Sequence, residues 1–212
     1  MKLSERAYDA FIKLVHAKEL RPGQFVSQRE LVTLTGIPLG PMREALHKLE
    51  AEGLVELIPQ RGIMIAEASP KRIRDAFALR ILIEKEAARR FAEGATDSLV
   101  TSLEAKHRGV VQRARNGIDD ALLEHAQAVD WGMHDALVAT LDNDLVWGIH
   151  RTNSDRIRLI RLDSGRLTQA NLMSAMEEHL TVIAACRRRD QEAAAAAIEA
   201  HLTTAMRRAM GL

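Results

Sequence analysis

Through the first 66 residues the hydrophobic period is helical three times and then falls to two. Tyr8, Phe11, Ile12 and Val15 recur at i, i+3, i+4 and i+7, which predicts an amphipathic helix ending before Leu20-Arg21-Pro22-Gly23. Ser27-Gln28-Arg29-Glu30 has the spacing of a capping box, in which hydroxyl and carboxylate satisfy open amides at a helix start. A short helix therefore begins there and stops at Gly36. After Ile37-Pro38-Leu39-Gly40, Pro41 suits a first helical turn, and Met42, Ala45, Leu46 and Leu49 line the apolar face of a third helix reaching Glu52. Leu54–Ile58 and Ile63–Ile65, separated by Pro59-Gln60-Arg61-Gly62, read as a β-hairpin. Two short helices about a tight turn, followed by a hairpin, predict a winged helix-turn-helix over 1–66, with a linker at 67–70.

From Lys71 onward the pattern is helical only. Breaks near Gly94, Gly117, Asp142-Asn143, Gly165 and Arg189-Asp190 divide it into helices at about 71–92, 97–115, 118–140, 144–163, 167–188 and 190–210. The expected fold is mainly α, a winged helix-turn-helix with a small β-hairpin followed by an antiparallel six- (or seven-) helix bundle over 71–212.

Composition narrows the class. Among 212 residues 47% are hydrophobic and 28% charged, with 4 Phe, 2 Trp and 1 Tyr, a balance that favours helix over sheet. No apolar run reaches the ~18 residues of a membrane span, so no membrane partner is expected. Met1–Arg6 lacks the apolar stretch of a signal peptide, and the single Cys186 has no partner for an internal disulfide, so a reducing cytoplasm is the expected compartment. The net charge is only +1, and residues 1–69 hold nine Lys/Arg against nine Asp/Glu. Bulk charge thus gives no hint of a polyanionic partner.

Position gives what charge does not. In a helix-turn-helix the second helix enters the major groove, where Arg43, pointing away from the Met42/Leu46/Leu49 face, can pair with guanine. Arg29 is placed for a phosphate, and Arg61 at the hairpin tip for a phosphate or the minor groove. The motifs Leu20-Arg21-Pro22-Gly23, Gln28-Arg29-Glu30-Leu31, Pro41-Met42-Arg43-Glu44-Ala45-Leu46, Glu52-Gly53-Leu54-Val55 and Gln60-Arg61-Gly62, in this order, resemble the winged helix of the GntR family of bacterial transcription regulators. The resemblance implies double-stranded operator DNA as partner, with Arg29 and Arg43 contacting it and Gly62 letting the hairpin approach the minor groove. Pro38-Leu39 departs from the family's Ser-Arg or Thr-Arg, losing a capping hydroxyl and an arginine, so the operator sequence does not carry over.

In the second half, polar residues interrupt apolar stripes. Asp130 and His134 are i, i+4 in step with Leu123, Leu137 and Leu141; His179 falls on the stripe Leu172/Met176/Ile183 and His201 on Ile198/Leu202/Ala205. With a turn near residue 190, His179 and His201 both lie roughly 16 Å from it on adjacent antiparallel helices, and so sit level. One carboxylate and three imidazoles in a bundle core suit a divalent transition metal ion, Zn, Ni, Mn or Fe, with positions left for water or ligand.

Asp130, His134, His179 and His201 also resemble the metal-ligand pattern of the FCD effector domain, which follows GntR-type winged helices. That resemblance implies a homodimer sensing a small organic acid whose carboxylate completes the coordination sphere. Arg80 and Glu84 match the family's Arg-x-x-x-Glu, whose arginine often faces the effector; a surface i, i+4 pair is the plainer reading. His150 is level with His134 across the turn at Asp142-Asn143, a further polar wall for such a pocket. Glu104 and His107 have the spacing of half a di-iron motif, without the second copy such a site needs. The expected function is a ligand-responsive transcription regulator, not an enzyme. The alternative is a metal-dependent enzyme with a DNA-binding arm, which lacks an evident general base, since Glu177 and Glu178 have no spacing that aims them at a metal. A third reading is a DNA-binding dimer whose bundle serves only to dimerise.

Overall fold

Ser27 opens the helix-turn-helix by reciprocal capping: its Oγ accepts the Glu30 N–H at 3.2 Å, and its own N–H donates to Glu30 Oε2 at 2.7 Å. In this computed structural model, which describes residues 1–17, 19–67, 69–164 and 167–212, the order is α1 (Leu3–His16), β1 (Phe25–Val26), α2 (Gln28–Thr35), α3 (Leu39–Ala51), β2 (Val55–Ile58) and β3 (Gly62–Ile65). There follow α4 (Pro70–Gly94), α5 (Asp97–Ala114), α6 (Asp120–Ala139), α7 (Asp144–Ser164), α8 (Leu172–Arg187) and α9 (Gln191–Ala209). Ala68 of the expected linker and the expected break at Gly165 lie outside the described residues. The chain divides into two units, Met1–Ile73 with Thr152–Ser164, and Arg74–Arg151 with Gly165–Leu212.

In the first unit, α2 ends where Gly36 takes a left-handed conformation (φ 67°) and its N–H returns to Val32 O. Pro38 then precedes α3 and offers no side-chain cap, as its missing hydroxyl dictates. The hairpin is joined by a strand the sequence pattern did not reveal: β1 pairs antiparallel with β3, giving the order β1-β3-β2. Phe25–Val26 is too short to show a period. Phe11, Leu31, Met42, Leu46, Leu49, Leu54, Ile63 and Ile65 form one core, each worth ~1.5–3 kcal/mol of burial. Leu159 belongs to this core too, from the stretch Thr152–Ser164 that the helical pattern assigns to the bundle. Beside it the Tyr8 hydroxyl donates to Glu52 at 2.7 Å, and Arg156 Nε donates to the Glu52 carbonyl at 2.6 Å.

In the second unit, Thr96, Asp119 and Asp190 cap α5, α6 and α9 by accepting the N–H of Leu99, Leu122 and Ala193. Helix α8 begins at Leu172 rather than 167, because the Thr168 N–H donates to the Asn171 side chain and holds a turn there. Two apolar clusters stack along the bundle. One takes Val110 from α5, Leu122, Ala126 and Val129 from α6, and Leu172, Ala175 and Met176 from α8. The other takes Leu103, then Met133 and Leu137, then Val182 and Ile183, with Phe91 and Ile198. Between the two clusters, α5 contributes His107, α6 contributes Asp130 and His134, and α8 contributes His179. A polar layer is thus held between two apolar ones.

Gly62 shows how closely the wing is packed. Its φ is 101°, and a Cβ there lies 3.0 Å from the Val26 carbonyl oxygen of the neighbouring strand. Gly62→Ala is expected to cost about 1–3 kcal/mol in urea unfolding. Gly40→Ala, in α3 with nothing within 4 Å of its Cβ, is expected to be neutral or stabilising by up to ~1 kcal/mol in the same measurement.

Candidate metal centre and DNA-reading surface

On α3 the buried residues Met42, Ala45, Leu46 and Leu49 leave Arg43 and His47, one turn apart, on the exposed side. Arg43 Nε donates to Gln28 Oε1 at 2.8 Å, which ties the start of α2 to α3. Arg29 in the first turn of α2 and Arg61 in the hairpin turn are exposed as well. The turn is closed by the Arg61 N–H to the Ile58 carbonyl, with Gln60 left-handed at φ 64°. His47 was not singled out from sequence, although its i, i+4 step from Arg43 carries the signal. With Lys71, Arg72 and Thr152–Ser164 included, this unit holds fourteen Lys/Arg against eleven Asp/Glu, a net +3 where residues 1–69 alone are neutral.

In the second unit the structure brings Asp130, His134, His179 and His201 together. All four are buried, and one ligand atom from each lies within 4.8 Å of those of the others. His179 and His201 come level from α8 and α9, their Nε2 atoms 3.1 Å apart, and His179 Nε2 is 3.5 Å from Asp130 Oδ1.

Each imidazole is held from behind. His134 Nδ1–H donates to Glu84 Oε2 at 2.5 Å, and Glu84 Oε1 accepts from Arg80 Nε at 2.5 Å. His201 Nδ1–H donates to Glu178 Oε2 at 2.7 Å, and Glu178 Oε1 accepts from Arg208 Nη2 at 2.7 Å. His179 Nδ1 is 3.1 Å from His107 Nε2, while His107 Nδ1–H donates to the Leu103 carbonyl at 2.7 Å. A carbonyl oxygen only accepts, so His107 carries its proton on Nδ1, and its Nε2 accepts from His179. Every outer contact therefore takes the Nδ1 proton, which leaves the Nε2 atoms of the three imidazoles for the interior beside a carboxylate.

Lone pairs 3.1 Å apart repel unless a proton or a metal cation lies between them. Two nitrogens on one ion at ~2.0–2.1 Å stand about 3–3.4 Å apart, so the spacing fits. His134 Nε2 is buried without a hydrogen-bond partner among the described residues. Burial, and then the Arg80 charge, push the His134 pKa down to about 4. His179 is held well below its ordinary value by burial and then by the neighbouring imidazoles, and His107 is lowered by burial. These imidazoles are neutral near pH 7, the form that binds metal. Burial opposes ionisation of Glu84, but the Arg80 charge and the hydrogen bonds from His134 and Arg80 outweigh it and hold its carboxyl well below the usual range.

Several sequence expectations change here. Arg80 and Glu84 are not a surface pair: both are buried, and Arg80 lies over the Trp131 ring at 4.8 Å with its Nη2 unpartnered among the described residues. His150 turns instead to Asp135 at 3.0 Å and lies against Trp147. Glu104 is at the surface with Arg108 and Arg187, whereas its supposed partner His107 is inside against His179. Glu178 supports His201. The roles of Glu84, Glu178 and His107 were missed because they depend on contacts far apart in sequence; for His107, its buried step from Leu103 to Val110 was the available signal.

Residues 3–65 match the family described as bacterial regulatory proteins, gntR family, and residues 75–204 match the FCD domain. The transcriptional repressor RspR of Escherichia coli is 28% identical over 187 residues, 86% of this chain and 78% of that protein. Escherichia coli McbR/YncC has the same fold, with a TM-score of 0.78 at 16% identity over 96% of this chain and 95% of the other. A GntR regulator from Rhodococcus sp. RHA1 gives 0.77 at 16% identity over 98% and 97%. No described helix is long and apolar enough to cross a membrane. The chain belongs to the GntR family of bacterial transcription regulators, a non-enzymatic family, and joins a DNA-binding winged helix-turn-helix to an FCD effector domain.

Proposed function

We propose that this regulator binds operator DNA as a homodimer and responds to a small organic acid at a divalent transition metal ion held by Asp130, His134, His179 and His201. The observation that carries the reading is one ligand atom from each of Asp130, His134, His179 and His201 converging within 4.8 Å, with the imidazole Nδ1 atoms tied outward. The bound ion supplies a Lewis-acidic position for an oxygen ligand. Asp130 is the one anion among the four ligand-bearing side chains, so a divalent ion leaves a net positive charge that favours a carboxylate effector. Arg80, buried beside His134 with an unpartnered Nη2, is the candidate to receive its second oxygen or another anionic group. Regulation requires the effector to bind the DNA-competent and DNA-incompetent arrangements with different affinity, and that difference sets the size of the response.

Arg43, Arg29, Arg61 and the Gly62 turn are the proposed contacts with DNA. Arg43 reads base edges, and the other two arginines hold phosphates. Two copies in a dimer double these contacts and match a two-fold symmetric site.

Metal is expected to stabilise the protein. At free Zn²⁺ or Ni²⁺ about 100-fold above Kd, unfolding is opposed by ~2.7 kcal/mol, read as a raised Tm that a chelator reverses. His201→Ala is expected to lose this shift, and a wild-type Tm indifferent to both ion and chelator contradicts the metal assignment. In gel shifts with selected duplexes, Arg43→Ala is expected to abolish sequence discrimination while the circular dichroism of the fold is retained. Arg61→Ala is expected to preserve discrimination and to make log affinity fall less steeply with log salt, by about 1 in slope for each phosphate left without its arginine. Unchanged DNA binding by Arg43→Ala contradicts its role.

A further inference from the structure

His134 and His201 are backed by carboxylates, each held in turn by an arginine. His179 is backed by another imidazole, and that difference has a chemical consequence. A carboxylate accepts whichever proton faces it, whereas His107 can accept only because Leu103 holds the His107 proton on Nδ1. His179 Nε2 meanwhile faces two other acceptors, His201 Nε2 at 3.1 Å and Asp130 Oδ1 at 3.5 Å. In the other tautomer, His179 would place its proton on Nε2 and donate it into the cluster, which would then satisfy itself by an internal hydrogen bond and compete with any ion.

We propose that His107 is a positioning residue for the metal centre: by accepting the His179 Nδ1–H it keeps the proton off His179 Nε2, so that this atom is a metal ligand and not an internal donor. The inference rests on the metal reading above. His107 is fully buried between Leu103 of one apolar cluster and Val110 of the other, so an apolar side chain there continues the packing on either side. Its removal therefore acts on the tautomer of His179 and leaves the α5 face intact.

The test compares the full-length wild type with His107→Leu, His107→Gln and His179→Ala. Zn²⁺ and Ni²⁺ affinities are measured by competition with a chromogenic chelator, and thermal unfolding is measured without metal. His107→Leu is expected to bind about 10–100-fold more weakly, with the metal-free Tm largely kept. His107→Gln, whose Oε1 reaches the position of the lost Nε2 and can accept the same proton, is expected to recover most of the loss. Nitrogen-15 NMR of the metal-free wild type is expected to find His179 as the Nδ1–H tautomer, a readout that needs no substitution. Wild-type affinity in His107→Leu together with weakened binding in His179→Ala overturns the role of His107 and leaves the metal site standing, as does an Nε2–H tautomer of His179 in the wild type. A wild type that takes up neither ion overturns both readings.

Discussion

Three imidazoles whose Nδ1 atoms are all engaged from outside leave their Nε2 atoms for the interior. This arrangement governs the rest of the second unit. Glu84, Glu178 and His107 do the claiming, from three different helices, and Asp130 adds a carboxylate to the same interior. Burying such a set unbridged leaves lone pairs facing lone pairs in a medium that screens them poorly, whereas a divalent cation turns the same geometry into coordination. The arginines behind the carboxylates keep Glu84 and Glu178 ionised, and so keep them acceptors; for both, the neighbouring charges and hydrogen bonds outweigh burial.

The bundle tolerates this polar layer because it is confined. Along α5, α6 and α8 the polar residues occupy one level, with apolar clusters on either side that supply the packing energy. The helix starts are satisfied locally, by Thr96, Asp119 and Asp190, so no polar demand from them competes with the core. A layer of this kind contributes little net stability by itself.

Periodicity and spacing made the four residues of the buried polar cluster legible. Asp130, His134, His179 and His201 each break an apolar stripe, and the hairpin between α8 and α9 sets two of them level by counting alone. Capping chemistry made α2 legible in the same way, through Ser27 and Glu30. What was not legible depends on pairings between distant segments. Glu84 and His134 are 50 residues apart, and His107 and His179 are 72 apart, so no local pattern announces them. Phe25–Val26 joins the sheet through a two-residue pairing with β3, and Leu159 enters the core of the first unit from a helix whose period shows that it buries a face without showing against what. Together with Lys71 and Arg72, the same grouping changes the charge of the DNA-binding unit from neutral to +3, so the arginine pattern no longer stands against an unhelpful total.

X-ray absorption at the metal edge of zinc-loaded protein addresses the central claim most directly, because it counts imidazoles around the ion. Convergent Nε2 atoms predict three imidazole nitrogens and carboxylate oxygen at ~2.0–2.1 Å, falling to two imidazoles in His179→Ala. A zinc environment without imidazole scattering, or one that His179→Ala leaves unchanged, contradicts the account.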